Sequence, residues 1–307
     1  MVCLPSIPAV MLHGLIKVRM EKVNQAIRQA ETPAEKVDCY RRELPVEIGS
    51  LVPGDCRVEE SELGGRPVTW IRPVDAPVDR AILYLHGGGY IGGSVQYSRN
   101  SASDLARSCN WPLASLDYRL APEYPYPAAI QDAMNAYEGL LRQKYQAKQI
   151  VLAGESAGGG LALASVFALK KAGLPLPGAI IGLSPWCDLT LDNITVQANN
   201  GKDIMVTADF LNLAADLYAA GQDRTEACMS PLFGDFAGYP PLLLQVAAEE
   251  LLLGEVIALA NKAKHSGVDV ELDIFDGMWH VWQSLNELVP ESRAALDKIA
   301  AFIRRHT

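Results

Sequence analysis

The chain has 307 residues, 49% of them apolar and 21% charged, with a net charge of −9. That length and composition suit one α/β domain with insertions, or two smaller domains, around a sizeable core. The acidic balance and the lack of a basic patch argue against nucleic acid or an anionic membrane as partner.

The chain opens on "MVCLPSIPAVMLHGLIKVRM". It lacks a basic leader, Pro5 and Pro8 interrupt it, and Lys17 and Arg19 follow the apolar run rather than precede it, so a signal peptide is not expected. No stretch approaches the roughly 18 apolar residues that span a bilayer. Six cysteines (Cys3, Cys39, Cys56, Cys109, Cys187, Cys228) are scattered without CxxC or metal-ligand spacing. They read as reduced, mostly buried thiols, and the expected compartment is the cytoplasm.

Helical spacing continues to about residue 45. "CRVEESEL" and "RPVTWIRP" then form a hairpin signal across Gly64-Gly65. "RAILYLHGGGY" and "WPLASLDYRL" are apolar strand-like runs, and "DAMNAYEGLLRQKY" is helical. "KQIVLAGESAGGG" is a strand entering a tight turn, followed by the helix "LALASVFALKKAG". "PGAIIGLSPW" and "PPLLLQVAAE" are further buried strands. "VIALANKAKHSG" is helical, "VDVELDIFDG" is a strand, and "ESRAALDKIAAFIRRH" is an amphipathic last helix. Alternating strands and helices with apolar central strands predict a mostly parallel eight-stranded sheet covered on both faces. Residues 1–45 and 188–225, the latter holding "VTADFLNLAADLYAAG", break the alternation. They are expected to form a two-part helical cap on a core of residues 46–187 and 226–307.

"GESAG", Gly154 to Gly158, fits G-x-S-x-G between a predicted strand and helix, a context that makes a weak pattern specific. Such a turn lifts the Ser156 hydroxyl clear of the sheet, next to a helix N-terminus that favours negative charge. A glycine-rich loop for close packing or phosphate binding is the alternative, but Glu155 would repel phosphate and no Lys follows. A serine nucleophile needs a base. Of His13, His86, His265, His280 and His306, it is His280 in "FDGMWHVWQ" that lies in the loop after the last predicted strand, where a parallel sheet delivers its functional groups. "HGGGY", His86 to Tyr90, allows backbone N–H groups to point into a cavity, as a tetrahedral oxyanion requires. His86 reads as an anchor of that loop rather than a base. "QVAAEELLLG" sets two carboxylates between apolar runs, which is costly unless one of them has a partner.

"HGGGY", "DYRLAPEYPYPAAIQDA", "GESAGGGLA", "SPWCDLT" and "DGMWHVWQ" stand in the order found in the hormone-sensitive-lipase-like (bacterial family IV) esterases of the α/β-hydrolase superfamily, which this chain resembles over roughly residues 75 to 305. The resemblance implies an α/β-hydrolase fold with a helical cap, a Ser–acid–His triad, no cofactor or metal, and hydrolysis of small esters with short acyl chains. Carried over, Ser156 is the nucleophile and His280 the base. Gly88, Gly89 and Ala157 are the oxyanion donors, with the amide of Gly87 as the alternative. The family usually shows Gly-Ser-Asp-Glu where this chain has Ala247, Ala248, Glu249 and Glu250. Glu249 therefore aligns with the triad acid, ahead of Glu250 and, more distantly, Asp276; a glutamate can serve if the loop accommodates its reach. Arg119, Glu123 and Glu155 are expected to brace the nucleophile turn. Tyr90, Trp186, Trp279 and Trp282 are candidates for lining the substrate pocket, with core packing the equal alternative. A homodimer across the edge strand "VDVELDIF" is a hypothesis from the resemblance alone.

The same residues would serve a deacetylase or amidase, and the glutamate could weaken the triad. A non-catalytic small-molecule receptor on this scaffold would be signalled by loss of the base, which His280 supplies.

Overall fold

The computed structural model describes residues 5–44, 54–285 and 288–307. The expected boundary at 45/46 and Cys3 lie outside those residues. Helices α1 (Ile7–Gln29) and α2 (Pro33–Glu43) come first. Ser6 caps α1, and Thr32 and Glu35 form a reciprocal capping box on α2, satisfying N–H groups that a helix start leaves unpaired. The hairpin β1 (Cys56–Leu63) and β2 (Arg66–Pro73) follows. Then come β3 (Ala81–Leu85), α3 (Arg99–Cys109), β4 (Leu113–Leu116), α4 (Ala128–Arg142), β5 (Ile150–Glu155), α5 (Ala157–Lys171) and β6 (Ala179–Leu183). Short α6 (Ile194–Ala198) and α7 (Ala208–Ala219) are inserted before β7 (Leu242–Ala247). Helix α8 (Leu253–His265), β8 (Val270–Phe275) and α9 (Pro290–His306) complete the chain.

Among the described residues the sheet has eight strands in the order β1-β2-β4-β3-β5-β6-β7-β8. β1–β2 and β2–β4 are antiparallel, and every pairing from β4 through β8 is parallel. The central strands are apolar throughout because both faces are covered. Leu83, Leu85, Ile150, Leu152 and Leu244 point into the larger core, with α4, α5 and α8. Ile82, Tyr84, Val151, Ala153 and Leu243 point the other way, onto α3 and α9. Helix α5 is buried continuously from Ala157 to Leu169, so it carries no polar stripe. Its glycines let it begin against the sheet: a Cβ on Gly158 would stand 2.1 Å from the Leu85 carbonyl oxygen.

Helix α3 was not legible in the sequence. Its segment "RNSASDLARSC" has no side-chain cap, and its polar Ser101, Ser103 and Asp104 are buried. The described cysteines Cys39, Cys56, Cys109, Cys187 and Cys228 are free thiols. No helix among the described residues is long and apolar enough to cross a membrane.

Candidate active site

The parallel strands β5, β6, β7 and β8 are adjacent in the sheet, so the loops at their carboxyl ends meet along one edge. Ser156 leaves β5 at φ 52° and ψ −123°, a conformation that costs a non-glycine residue about 1–3 kcal/mol. Three backbone hydrogen bonds hold it there. Ser156 N–H donates to the Leu183 carbonyl at 2.9 Å, and its own carbonyl accepts from Gly160 at 3.0 Å and Trp186 at 2.9 Å. Glu155 and Ala157 on either side are buried while Ser156 is only half-buried. The expected turn with a presented hydroxyl is thus present.

His280 follows β8, and its Nδ1 donates to Glu250 Oε2 at 2.6 Å. Both residues are buried. Glu250 Oε1 accepts from the Ala247 N–H at 2.6 Å and from the Ser184 hydroxyl at 2.7 Å. The same Ser184 oxygen accepts from the Val281 N–H at 3.2 Å, joining the β6, β7 and β8 loops in one network. An ionised carboxylate can only accept, so the bond to Glu250 places the neutral ring's proton on Nδ1 and leaves Nε2 as the acceptor. Burial alone would lower the His280 pKa. The Glu250 charge and hydrogen bond, with smaller help from Asp203 and Glu155, outweigh it and raise the pKa above the ordinary 6.5.

The expectation for Glu249 is corrected. Its side chain is exposed, and no described residue hydrogen-bonds its carboxylate. The reason is a turn: the Glu250 N–H bonds back to the Ala247 carbonyl at 3.3 Å, so Ala248 and Glu249 occupy the outer corner and Glu250 returns to the site. Asp276 is likewise exposed.

The glycine loop after β3 abuts the serine, since a Cβ on Gly87 would lie 3.2 Å from Ser156 Cβ. The Gly87 N–H is taken by Glu155 Oε1 at 3.3 Å. Among the described residues nothing accepts from the N–H groups of Gly88, Gly89 or Ala157. Gly88 has φ 117°, which L side chains rarely adopt, and a Cβ there would meet the Gly92 oxygen at 2.2 Å. Glu155 also accepts from Tyr84 Oη at 2.7 Å and Ser98 Oγ at 2.5 Å, so this buried carboxylate ties the glycine loop to the serine turn. Arg119 and Glu123 do not join that brace. Arg119 pairs with Asp132 of α4, and Glu123 with Arg41 of α2. His86 is an anchor, as expected. Its Nδ1 donates to the Gly87 carbonyl at 2.8 Å, its ring stacks on Tyr118, and burial pushes its pKa down to about 4.

The four aromatic candidates are all buried. Tyr90 stacks on Tyr218 at 3.9 Å between ring centroids, and the Trp186 indole donates to the Asp188 carbonyl. Trp282 packs against Phe275, and Trp279 against His13 of α1. Phe210 of α7 reaches the glycine loop, its ring tip standing 3.0 Å from where a Cβ on Gly89 would be. Tyr40 of α2 lies against it at 4.6 Å. These two, with Ser184 and Asp203, were not singled out in the sequence, because only the fold brings them to the sheet edge. Among the described residues no cluster of three or more His, Cys, Asp or Glu is placed to hold a metal ion.

Comparison with known proteins agrees with this fold. The alpha/beta hydrolase fold family matches residues 82–284. An acetyl-hydrolase of Streptomyces hygroscopicus is 40% identical over 286 residues, 93% of this chain and 94% of that one. An esterase of Acinetobacter venetianus is 33% identical over 249 residues, 77% and 82% of the two chains. The crystal structure of an esterase from the bacterial hormone-sensitive lipase family superposes with a TM-score of 0.89 at 36% identity, over 99% of both chains. The chain belongs to the α/β-hydrolase superfamily, in its hormone-sensitive-lipase-like esterase branch.

Proposed function

We propose that the protein is a serine carboxylic-ester hydrolase in which Ser156 is the nucleophile, His280 the general base and Glu250 the triad acid. His280 Nε2 takes the Ser156 proton as Oγ attacks the ester carbonyl carbon. The resulting oxyanion is received by the N–H groups of Gly88, Gly89 and Ala157, each such donor being worth about 10²–10³ in rate. Collapse breaks the bond to the alcohol, which leaves with the proton from His280. Water, deprotonated by His280 in turn, then releases the acid and regenerates Ser156. Glu250 holds the imidazole in the correct tautomer and stabilises the imidazolium formed in each half-reaction without itself taking the proton. One observation carries the reading: His280 is bonded to a buried carboxylate at the same sheet edge where a strained turn presents Ser156.

The acyl group is short, about two to six carbons, on the strength of the family resemblance. The name of the acetyl-hydrolase relative supports a short acyl group. The test is hydrolysis of p-nitrophenyl esters across acyl lengths by the wild type and Ser156→Ala, with organophosphate labelling followed by peptide mass analysis. Fast turnover of short esters and a label on Ser156 are expected. A best rate beyond about ten acyl carbons with interfacial activation would overturn the chain-length assignment, and an unlabelled Ser156 would favour a receptor.

A further inference from the structure

Between α6 and α7 the inserted segment closes onto the loop that carries Glu250, through buried polar groups. Asn199 donates its amide to the carbonyls of Ala248 at 3.2 Å and Glu250 at 2.9 Å. Asp203 Oδ2 accepts from the Leu251 N–H at 3.0 Å, and Oδ1 from Met205 and Val206 at 2.9 and 3.0 Å. A neutral Asn or Ser could cap the same short turn at a smaller desolvation cost. A buried carboxylate there calls for a positive counterpart. The neighbouring Lys202 directs its ammonium to Asn199 Oδ1 at 3.4 Å. The group whose charge acts most favourably on Asp203 is His280, and the effect is mutual.

We propose that Asp203 is a positioning residue, which fastens the Glu250 loop to the inserted helices and sets a second negative charge beside the Glu250–His280 pair. The inference rests on the ester-hydrolase reading above. In that reaction an imidazolium forms at His280 in every proton transfer, and a fixed, water-excluded negative charge favours it without reorganising. Among the described residues, carboxylates from three elements act on His280: Glu250 from the β7 loop, Asp203 from the insertion and Glu155 from the end of β5. Burial is the largest influence on Asp203 and pushes its carboxyl up; the His280 charge is the largest pulling it back. The insertion thus contributes to the proton chemistry as well as covering the site.

The test is the pH dependence of kcat/KM for p-nitrophenyl butyrate in the wild type, Asp203→Asn and Asp203→Glu. In Asp203→Asn, kcat falls by up to about 10²-fold through misplacement of the Glu250 loop. Its acid limb moves to lower pH, so the ratio of kcat/KM at about pH 5.5 to that at about pH 8 rises by about threefold or more. Asp203→Glu restores the wild-type limb. An unmoved limb in folded Asp203→Asn, whatever happens to kcat, would reduce Asp203 to a turn cap and overturn the inference. Carbon NMR of the wild-type Asp203 carboxyl provides a second readout that needs neither a variant nor turnover: its signal must step at the His280 midpoint. Absence of that step overturns the inference even if the protein hydrolyses esters, and its presence supports the inference even if the ester reading fails.

Discussion

Replacing Glu250 by Gln tests the assignment of the acid with almost no change of shape. In the wild type one carboxylate oxygen accepts from Ala247 N–H and Ser184 Oγ, and the other from His280 Nδ1. All three partners donate. Glutamine has one acceptor oxygen and one NH₂. Two donors claim the oxygen, so the NH₂ faces His280, Nδ1 must become an acceptor, and the proton moves to Nε2. That tautomer cannot receive the Ser156 proton. The expected loss in kcat is about 10⁴-fold, equivalent to about 5 kcal/mol of transition-state stabilisation. Glu249→Gln changes an exposed side chain, and its rate should stay within about twofold and its stability within about 0.5 kcal/mol. The assay is the initial rate on p-nitrophenyl butyrate for the three proteins, with thermal melts to exclude unfolding. A steep loss in Glu249→Gln with Glu250→Gln intact would refute the reasoning, as would equal effects in both.

Because the His280 pKa is raised above 6.5 by Glu250 despite burial, the acid limb of kcat/KM should have its midpoint above that value. The same shift adds stability that is fully present below the unfolded-state pKa and is lost as pH rises through the folded one, which denaturation at several pH values can check. Gly88→Ala puts a methyl 2.2 Å from the Gly92 oxygen at φ 117°. Steady-state kinetics should show kcat lower by about 10²–10³-fold, and calorimetry a stability loss of about 1–3 kcal/mol; an unchanged kcat would remove the glycine loop from the mechanism. Phe210→Ala removes the ring that lies over Gly89. The octanoate-to-butyrate rate ratio should rise by about tenfold, and an unchanged ratio in a folded variant would place the acyl chain elsewhere.

Much of this protein is determined by local sequence. Apolar strands such as "AILYL" and "IVLAG" can be stable only inside a doubly covered sheet, because their side chains need partners on both faces. "GESAG" between strand and helix, and "HGGG" after a strand, specify backbone shapes through glycines and small residues, so the Ser156 turn and the glycine loop beside it are readable without coordinates. His280 is readable because a sheet delivers its loops to one edge. What tertiary structure alone decided is which side chains those loops bring together. Glu249 and Glu250 are chemically alike and adjacent. Only the turn closed by Glu250 N–H on Ala247 O sends one to water and the other to His280. Tyr90, Trp186 and Trp282 carry the same apolar signal as pocket aromatics, and only packing shows them buried to 1% or less. Asp203 and Phe210 lie far along the chain from Glu250 and Gly89. Their contacts are long-range, and a one-dimensional pattern records neighbours in sequence, not neighbours across a folded insertion.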